Sequence, residues 1–215
     1  MIPDWSAERR EMVDRQLRRR GISDKRVLHA MSEVPREEFL PVESRILAYK
    51  DGPVDIGWGQ TISQPYMTAL MAQELELKGN ETVLEVGAGC GYAAAVLGAL
   101  AARVVTVEIV PELVDVARAN LRRTCRDGNV LVVRGDGSMG YAGSAPYDAI
   151  SVAAAAPDIP MSLVGQLGDP ARAVIPVGSR EGQELRVIRK RAGRIDFRTG
   201  VACRFVPLRG GEGWH

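Results

Sequence analysis

From residue 80 onward, short β-branched runs alternate with helical stretches. Thr82 to Val86, Val104 to Glu108 and Val130 to Val133 read as strands. "PELVDVARANLRR" has Pro111 at a favoured first-turn position and sets Leu113, Val116, Ala117 and Leu121 on one face, so it reads as a crossover helix. Such alternation predicts an α/β fold with a mostly parallel central sheet covered by helices. "YDAISVAA" and "RAVIPVG" add two core strands, and "QELRVIRKRAGRIDFRTGVACRFVPL" alternates about "RAGR" as a terminal antiparallel hairpin. The hairpin's arginines read as solvent-facing residues that protect an edge.

Before residue 80 the pattern is helical. Ser6 is the expected N-cap of a helix over residues 6–20, with Met12, Val13 and Leu17 near one face and Gly21 as its stop. The "RRR" at 18–20 suits the negative end of that helix. Ser23 is expected to cap a second helix running through Met31, beyond which Pro35 and Pro41 break the chain into short pieces. No strand is predicted before residue 80. The 215 residues fit one domain, a helical section over 1–79 joined to an α/β core over 80–215.

Charge adds little to this picture, because 28 basic residues nearly cancel 27 acidic ones. No global field draws the chain to nucleic acid or to an anionic membrane, and neither is an expected partner. Cys90, Cys125 and Cys203 are scattered without CxxC spacing, which speaks against a metal site or a disulfide framework. The amino terminus offers no apolar signal region, and "AAAVLGALAA" is far shorter than a membrane span. A soluble cytoplasmic protein is expected. Its oligomeric state has no signature in the sequence.

The candidate chemistry lies in "VLEVGAGCGY", which sets Gly87, Gly89 and Gly91 between a strand and a helix, where missing side chains let a ligand approach the backbone. A dinucleotide fingerprint requires GxGxxG, and position 92 is tyrosine. Glu85, two residues before the loop, would repel a pyrophosphate. It suits S-adenosylmethionine, which has no phosphate and carries an ammonium and a sulfonium. Glu108 ends the second strand 21 residues after Gly87, where a carboxylate can accept hydrogen bonds from ribose hydroxyls. Asp136 in "VRGDGSMG", beside Gly137, comes after the third strand and is a candidate for the adenine amino group. Each carboxylate taken singly also reads as a loop residue or helix cap.

These residues, with "GQTISQPYM" upstream and "CRFVPL" near the end, resemble the protein-L-isoaspartate O-methyltransferase family, and the likeness runs over essentially the whole chain. "TISQPYM" and "RFVPL" carry more of it than the glycine loop, which many methyltransferases share. The resemblance implies a Rossmann-like class I methyltransferase fold. It implies transfer of a methyl from S-adenosyl-L-methionine to L-isoaspartyl carboxylates in damaged proteins or peptides, leaving S-adenosyl-L-homocysteine. It makes Thr61, Ile62 and Ser63 candidate substrate residues, Ser63 the catalytic candidate, and Val206 a contact from the terminal strand. Ser63 also fits as an N-cap for a helix starting at Gln64 or Pro65.

A carboxylate acceptor is already ionised at neutral pH, so no general base is needed. His29 and His215 stand at opposite ends in no catalytic motif, and "DGSMG" is not a nucleophile elbow. Cys90, Ala93 and Ala153 depart from the family pattern near the pocket, as does "GDPAR" in a connection before the fifth core strand. Cys90 reads as a small packed residue and not as a reactive thiol. Three alternatives stay open: a relative that modifies an aspartate of one dedicated peptide, a cofactor-binding protein without turnover, and, with least support, a nicotinamide-dependent enzyme.

Overall fold

A computed structural model of the chain describes residues 3–214, so His215 lies outside the described residues. The amino-terminal helix α1 (Trp5–Glu11) continues through a wider turn over Met12–Leu17 and a tight one over Arg18–Arg20, and stops at Gly21, whose φ is +92°. Met12, Val13 and Leu17 are buried, as their spacing predicts. The caps differ from expectation. Asp4, not Ser6, accepts from the Ala7 N–H at 3.0 Å, and Asp24, not Ser23, caps α2 (Lys25–Glu33) by accepting from the N–H groups of Arg26 and Val27. Ser6 lies inside the first turn and Ser23 one residue outside it, so an aspartate fills each capping position.

The second difference is a small antiparallel pair before residue 80, β1 (Val54–Gly57) and β2 (Gln60–Ile62). Gly57, Trp58 and Gly59 all have positive φ and make its turn. The pair is too short to leave an alternating pattern, so its glycines read as a loop. It leads into α3 (Pro65–Glu74).

The main sheet holds β3 (Thr82–Val86), β4 (Arg103–Glu108), β5 (Val130–Arg134), β6 (Tyr147–Val152), β7 (Leu167–Gly178), β8 (Gln183–Arg191) and β9 (Arg194–Cys203) in the order β5-β4-β3-β6-β7-β8-β9. The strands from β5 to β7 are parallel neighbours, and β8 and β9 join antiparallel. In the terminal hairpin, Ala192 (φ +50°) and Gly193 (φ +73°) form the left-handed turn that matches strand twist, and Asp169 accepts both of their N–H groups. "GDPAR" therefore belongs to β7 and braces the hairpin; it is not a separate connection. The hairpin arginines pair along the surface, Arg189 with Glu76 and Arg186 with Glu184.

Alternate strand residues face two cores. Val83 and Val104 pack with Leu17, Met31 and Leu70, and with α4 (Tyr92–Gly98) and α5 (Pro111–Arg123) through Leu97 and Leu121. Leu84, Val105 and Ile150 face the other way against Leu163 of α6 (Met161–Gly165). From β3 the chain moves outward to β4 and β5, then returns to β6 on β3's other side. That reversal opens a crevice at the carboxyl ends of β3 and β6, the usual ligand position in such sheets.

Candidate functional site at the carboxyl ends of β3 and β6

The crevice is lined by the turn after β3, by Glu108 at the end of β4 and Ile109 after it, by Gly137 after β5, by Ala153 after β6, by Thr61 and Ile62 of β2 with Ser63 after it, and by Val206–Arg209. Its floor is backbone. Gly87 (φ +91°) and Gly89 (φ +52°) adopt conformations that disfavour side chains, and a Cβ on Gly89 would crowd Ile56 of β1 at 3.3 Å. Gly91 (φ +89°) does not line the crevice. A Cβ there would meet the Ala117 carbonyl oxygen at 3.2 Å, so this glycine lets α4 pack against α5.

Glu108 is 5% exposed and reaches the crevice. Its Oε2 accepts from the Gly89 N–H at 2.8 Å and its Oε1 from the Val110 N–H at 2.9 Å, which fixes the carboxylate and leaves lone pairs for a ligand. Ile109 beside it is 39% exposed, an apolar surface at the same rim.

Glu85 stands one layer behind. It is fully buried, Oε2 accepts from the Thr106 hydroxyl at 2.5 Å, and Oε1 has no hydrogen-bond partner. It borders a cavity of about 20 Å³ shared with Ser63, Thr68, Ser151 and Ala153. Burial, reinforced by Glu108 and opposed by the Thr106 hydroxyl, pushes its pKa up to about 8.

Asp136 does not line the crevice. Its Oδ1 accepts from the backbone N–H and the hydroxyl of Ser138, and its Oδ2 accepts from the Gly211 N–H at 2.8 Å. Burial raises its pKa, but these bonds outweigh burial and hold it below the usual carboxylate range. These three bonds leave one acceptor site, on Oδ2, for an adenine amino group. It fastens the carboxyl-terminal stretch across the strand ends, and its neighbour Gly137 forms the wall. Val206 and Leu208 are held there by bonds of 2.8 Å to both backbone groups of Ala155. Val206 therefore lies beyond β9, on a segment that crosses back over the sheet, and not on a terminal strand.

Ser63 borders the crevice, the small cavity and an outer groove of about 580 Å³. Gln64 is the N-cap of α3 and makes no side-chain capping bond, so Ser63 is not the helix cap. The Ser63 hydroxyl makes no hydrogen bond to the described residues. Ala153 also borders all three spaces. Cys90 is a packed residue, as its sequence context suggests; burial pushes its thiol up to about 11, so it stays protonated.

The sequence did not single out Gln60, Ile109, Val110, Ala154 or Leu208, all of which line the crevice. Ile109 and Val110 succeed a strand end already chosen for its carboxylate, and that position was their only signal. The donor set suits a cationic nucleoside: Glu108 faces the crevice and Glu85 behind it leaves a buried oxygen without a hydrogen-bond partner among the described residues, while Arg209 is the basic residue in the lining.

Comparisons with known proteins converge on the same chemistry. Residues 7–213 match the family model described as protein-L-isoaspartate(D-aspartate) O-methyltransferase. A protein-L-isoaspartate O-methyltransferase of Methanoculleus marisnigri is 52% identical over 208 residues, covering 96% of this chain and 94% of its own. One from Koribacter versatilis is 50% identical, covering 99% and 96%. A Plasmodium falciparum beta-aspartate methyltransferase, solved in complex with S-adenosyl-L-homocysteine, superposes with a TM-score of 0.80 at 28% identity over 94% of this chain and 98% of that one. With the glycine turn, Glu108, the Gln60–Ser63 stretch and the Val206–Arg209 segment meeting at one crevice, the chain belongs to the protein-L-isoaspartate(D-aspartate) O-methyltransferase family.

Proposed function

We propose that the crevice at the ends of β3 and β6 is where this chain methylates the side-chain carboxylate of L-isoaspartyl residues in damaged proteins and peptides, with S-adenosyl-L-methionine as donor. The observation that carries this reading is the junction at Ser63. There, a hydroxyl with no hydrogen-bond partner among the described residues lies between the glycine-floored crevice and the outer groove. The bound donor supplies an electrophilic methyl on a sulfonium.

The chain's residues bind and align. Glu108 would receive the ribose hydroxyls, Gly87 and Gly89 would let the cofactor lie against the backbone, Gly137 and Ile109 would flank the base, and Glu85, protonated at neutral pH in the ligand-free chain, would ionise behind a cationic donor. Gly91 acts indirectly, by keeping α4 close to α5. Thr61, Ile62, Ser63 and Val206 form the acceptor side. The Ser63 hydroxyl donates to the acceptor carboxylate and orients it. No proton is moved, because the acceptor is ionised at neutral pH. Ile62, Ala153 and Val206 give the acceptor an apolar, half-buried wall, and alignment of the reacting atoms can supply on the order of 7–11 kcal/mol.

The outer groove, with Tyr66, Phe205, Arg20 and Arg204 on its walls, receives the peptide that carries the acceptor. Its open shape supports acceptors of varied sequence. The helical section and the α/β core work as one domain in this reading, since Leu17 and Met31 share a core with Val83 and Val104. Three free cysteines fit a reducing, cytoplasmic setting. No helix among the described residues is long and apolar enough to cross a membrane.

A matched pair of peptides, one isoaspartyl and one aspartyl, tests the proposal. Base-labile methyl incorporation into the isoaspartyl member alone is expected. Transfer to the aspartyl member alone would point to a dedicated modifier, and binding without transfer to either would overturn turnover.

A further inference from the structure

Arg36 is fully buried in a tight turn (Arg36–Phe39) directly after Pro35. Its Nε donates to the Ala48 carbonyl at 2.7 Å and one terminal nitrogen, Nη2, donates to the Ser63 carbonyl at 2.8 Å. The other, Nη1, is buried without a hydrogen-bond partner, and the guanidinium lies over the Tyr92 ring, 4.9 Å from its centroid. Arg36 enters no ion pair among the described residues; the carboxylate next to it, Glu37, is taken by Arg9 at 2.9 Å and by the Tyr49 hydroxyl. Burial lowers the Arg36 pKa, opposed by Tyr92, Cys90 and Tyr49, yet a guanidinium remains charged at neutral pH.

A buried cation with no counter-ion is expensive to keep. Its surroundings indicate what offsets the cost. Ser63 and Tyr92, the residues it touches through a bond and a ring face, both line the crevice. Building on the reading that the acceptor carboxylate sits at Ser63, we propose that Arg36 is a positioning residue for methyl transfer and the buried counter-charge of the acceptor. Its bond to the Ser63 carbonyl fixes the end of β2, from Thr61 to Ser63. Its charge, set behind that strand end, attracts an anion without placing a second strong donor on the attacking oxygen. A lysine or arginine in direct contact would bind the same lone pairs and weaken the nucleophile.

The test uses the full chain with Arg36→Met, which removes charge at similar bulk, and Arg36→Lys, which keeps charge and loses the two-pronged grip. KM and kcat for an isoaspartyl peptide are measured beside calorimetric affinity for S-adenosylhomocysteine. Arg36→Met should raise the peptide KM about tenfold or more while affinity for S-adenosylhomocysteine stays within about twofold. Arg36→Lys should keep KM near that of the unmodified chain and lower kcat. An unchanged KM in Arg36→Met, or parallel loss of KM, kcat and S-adenosylhomocysteine affinity in both variants, would overturn the proposal and leave Arg36 a structural clamp. If Arg36→Met does not fold, Arg36→Lys decides by the same split. An unmodified chain inactive on the isoaspartyl peptide would overturn the site assignment itself, together with this proposal; with an active one, the variants judge the proposal alone.

Discussion

The Glu108 carboxylate accepts a hydrogen bond from the Gly89 N–H at 2.8 Å, so the last side chain of β4 pins the middle glycine of the turn after β3. One group thereby shapes the cofactor floor and offers its remaining lone pairs to the ribose. Glu108→Ala removes both roles and should weaken S-adenosylhomocysteine binding by about tenfold or more, since bonds to a charged group contribute about 1.5–3 kcal/mol each. Calorimetry measures this directly. Unchanged affinity would remove Glu108 from the site.

Ser63→Ala should act on turnover. The Ser63 hydroxyl has no hydrogen-bond partner among the described residues and caps no helix, so its loss should change stability by no more than about 0.5 kcal/mol. Methyl transfer should slow at constant cofactor affinity. Equal loss of both, with a lower melting temperature, would assign Ser63 a structural role instead.

Gly91→Ala tests the separation between glycines that floor the crevice and the one that packs helices. At φ +89°, with the Ala117 carbonyl oxygen 3.2 Å from the added carbon, the substitution should cost about 1–3 kcal/mol of folding stability. A melting curve checks it, and a neutral effect would contradict the packing role.

Glu85 gives the chain a pH signature. Its folded pKa of about 8 lies above the unfolded value, so the native state holds the extra proton through the window between them. The stability this contributes is full below the unfolded pKa and is lost as pH rises through about 8, by up to about 1.4 kcal/mol per pH unit. The ligand-free melting temperature should therefore fall across that window, and Glu85→Gln should flatten the fall. A cationic donor favours the ionised form, so its binding near neutral pH should release protons, read as a dependence of calorimetric heat on buffer. Melting curves of equal slope for the unmodified chain and Glu85→Gln would contradict a buried proton at this position.

Strands β3 and β4 and helix α5 were legible because burial on two faces writes long apolar runs, and a crossover helix writes a 3.6-residue period after Pro111; the edge strand β5, mostly outside the core, was legible from its β-branched residues. The β1–β2 pair was not, since a few residues around Gly57 and Gly59 carry no period. Glu108 could be placed from spacing because strand ends converge by topology. Asp136 shares that logic, and what spacing did not announce is its bonding within the protein, to Ser138 and to Gly211, 75 residues further along the chain. Arg36 left no trace either: its partners Ala48 and Ser63 contribute backbone carbonyls, which no residue type announces.

The most direct measurement is a crystal structure of the chain grown with S-adenosyl-L-homocysteine. Both ribose hydroxyls are expected within hydrogen-bond distance of Glu108, the adenosyl group over Gly87 and Gly89, and the sulfur facing Thr61–Ser63 at the end of β2. A crevice left empty at saturating ligand, or a nucleoside seated away from Glu108, would contradict it.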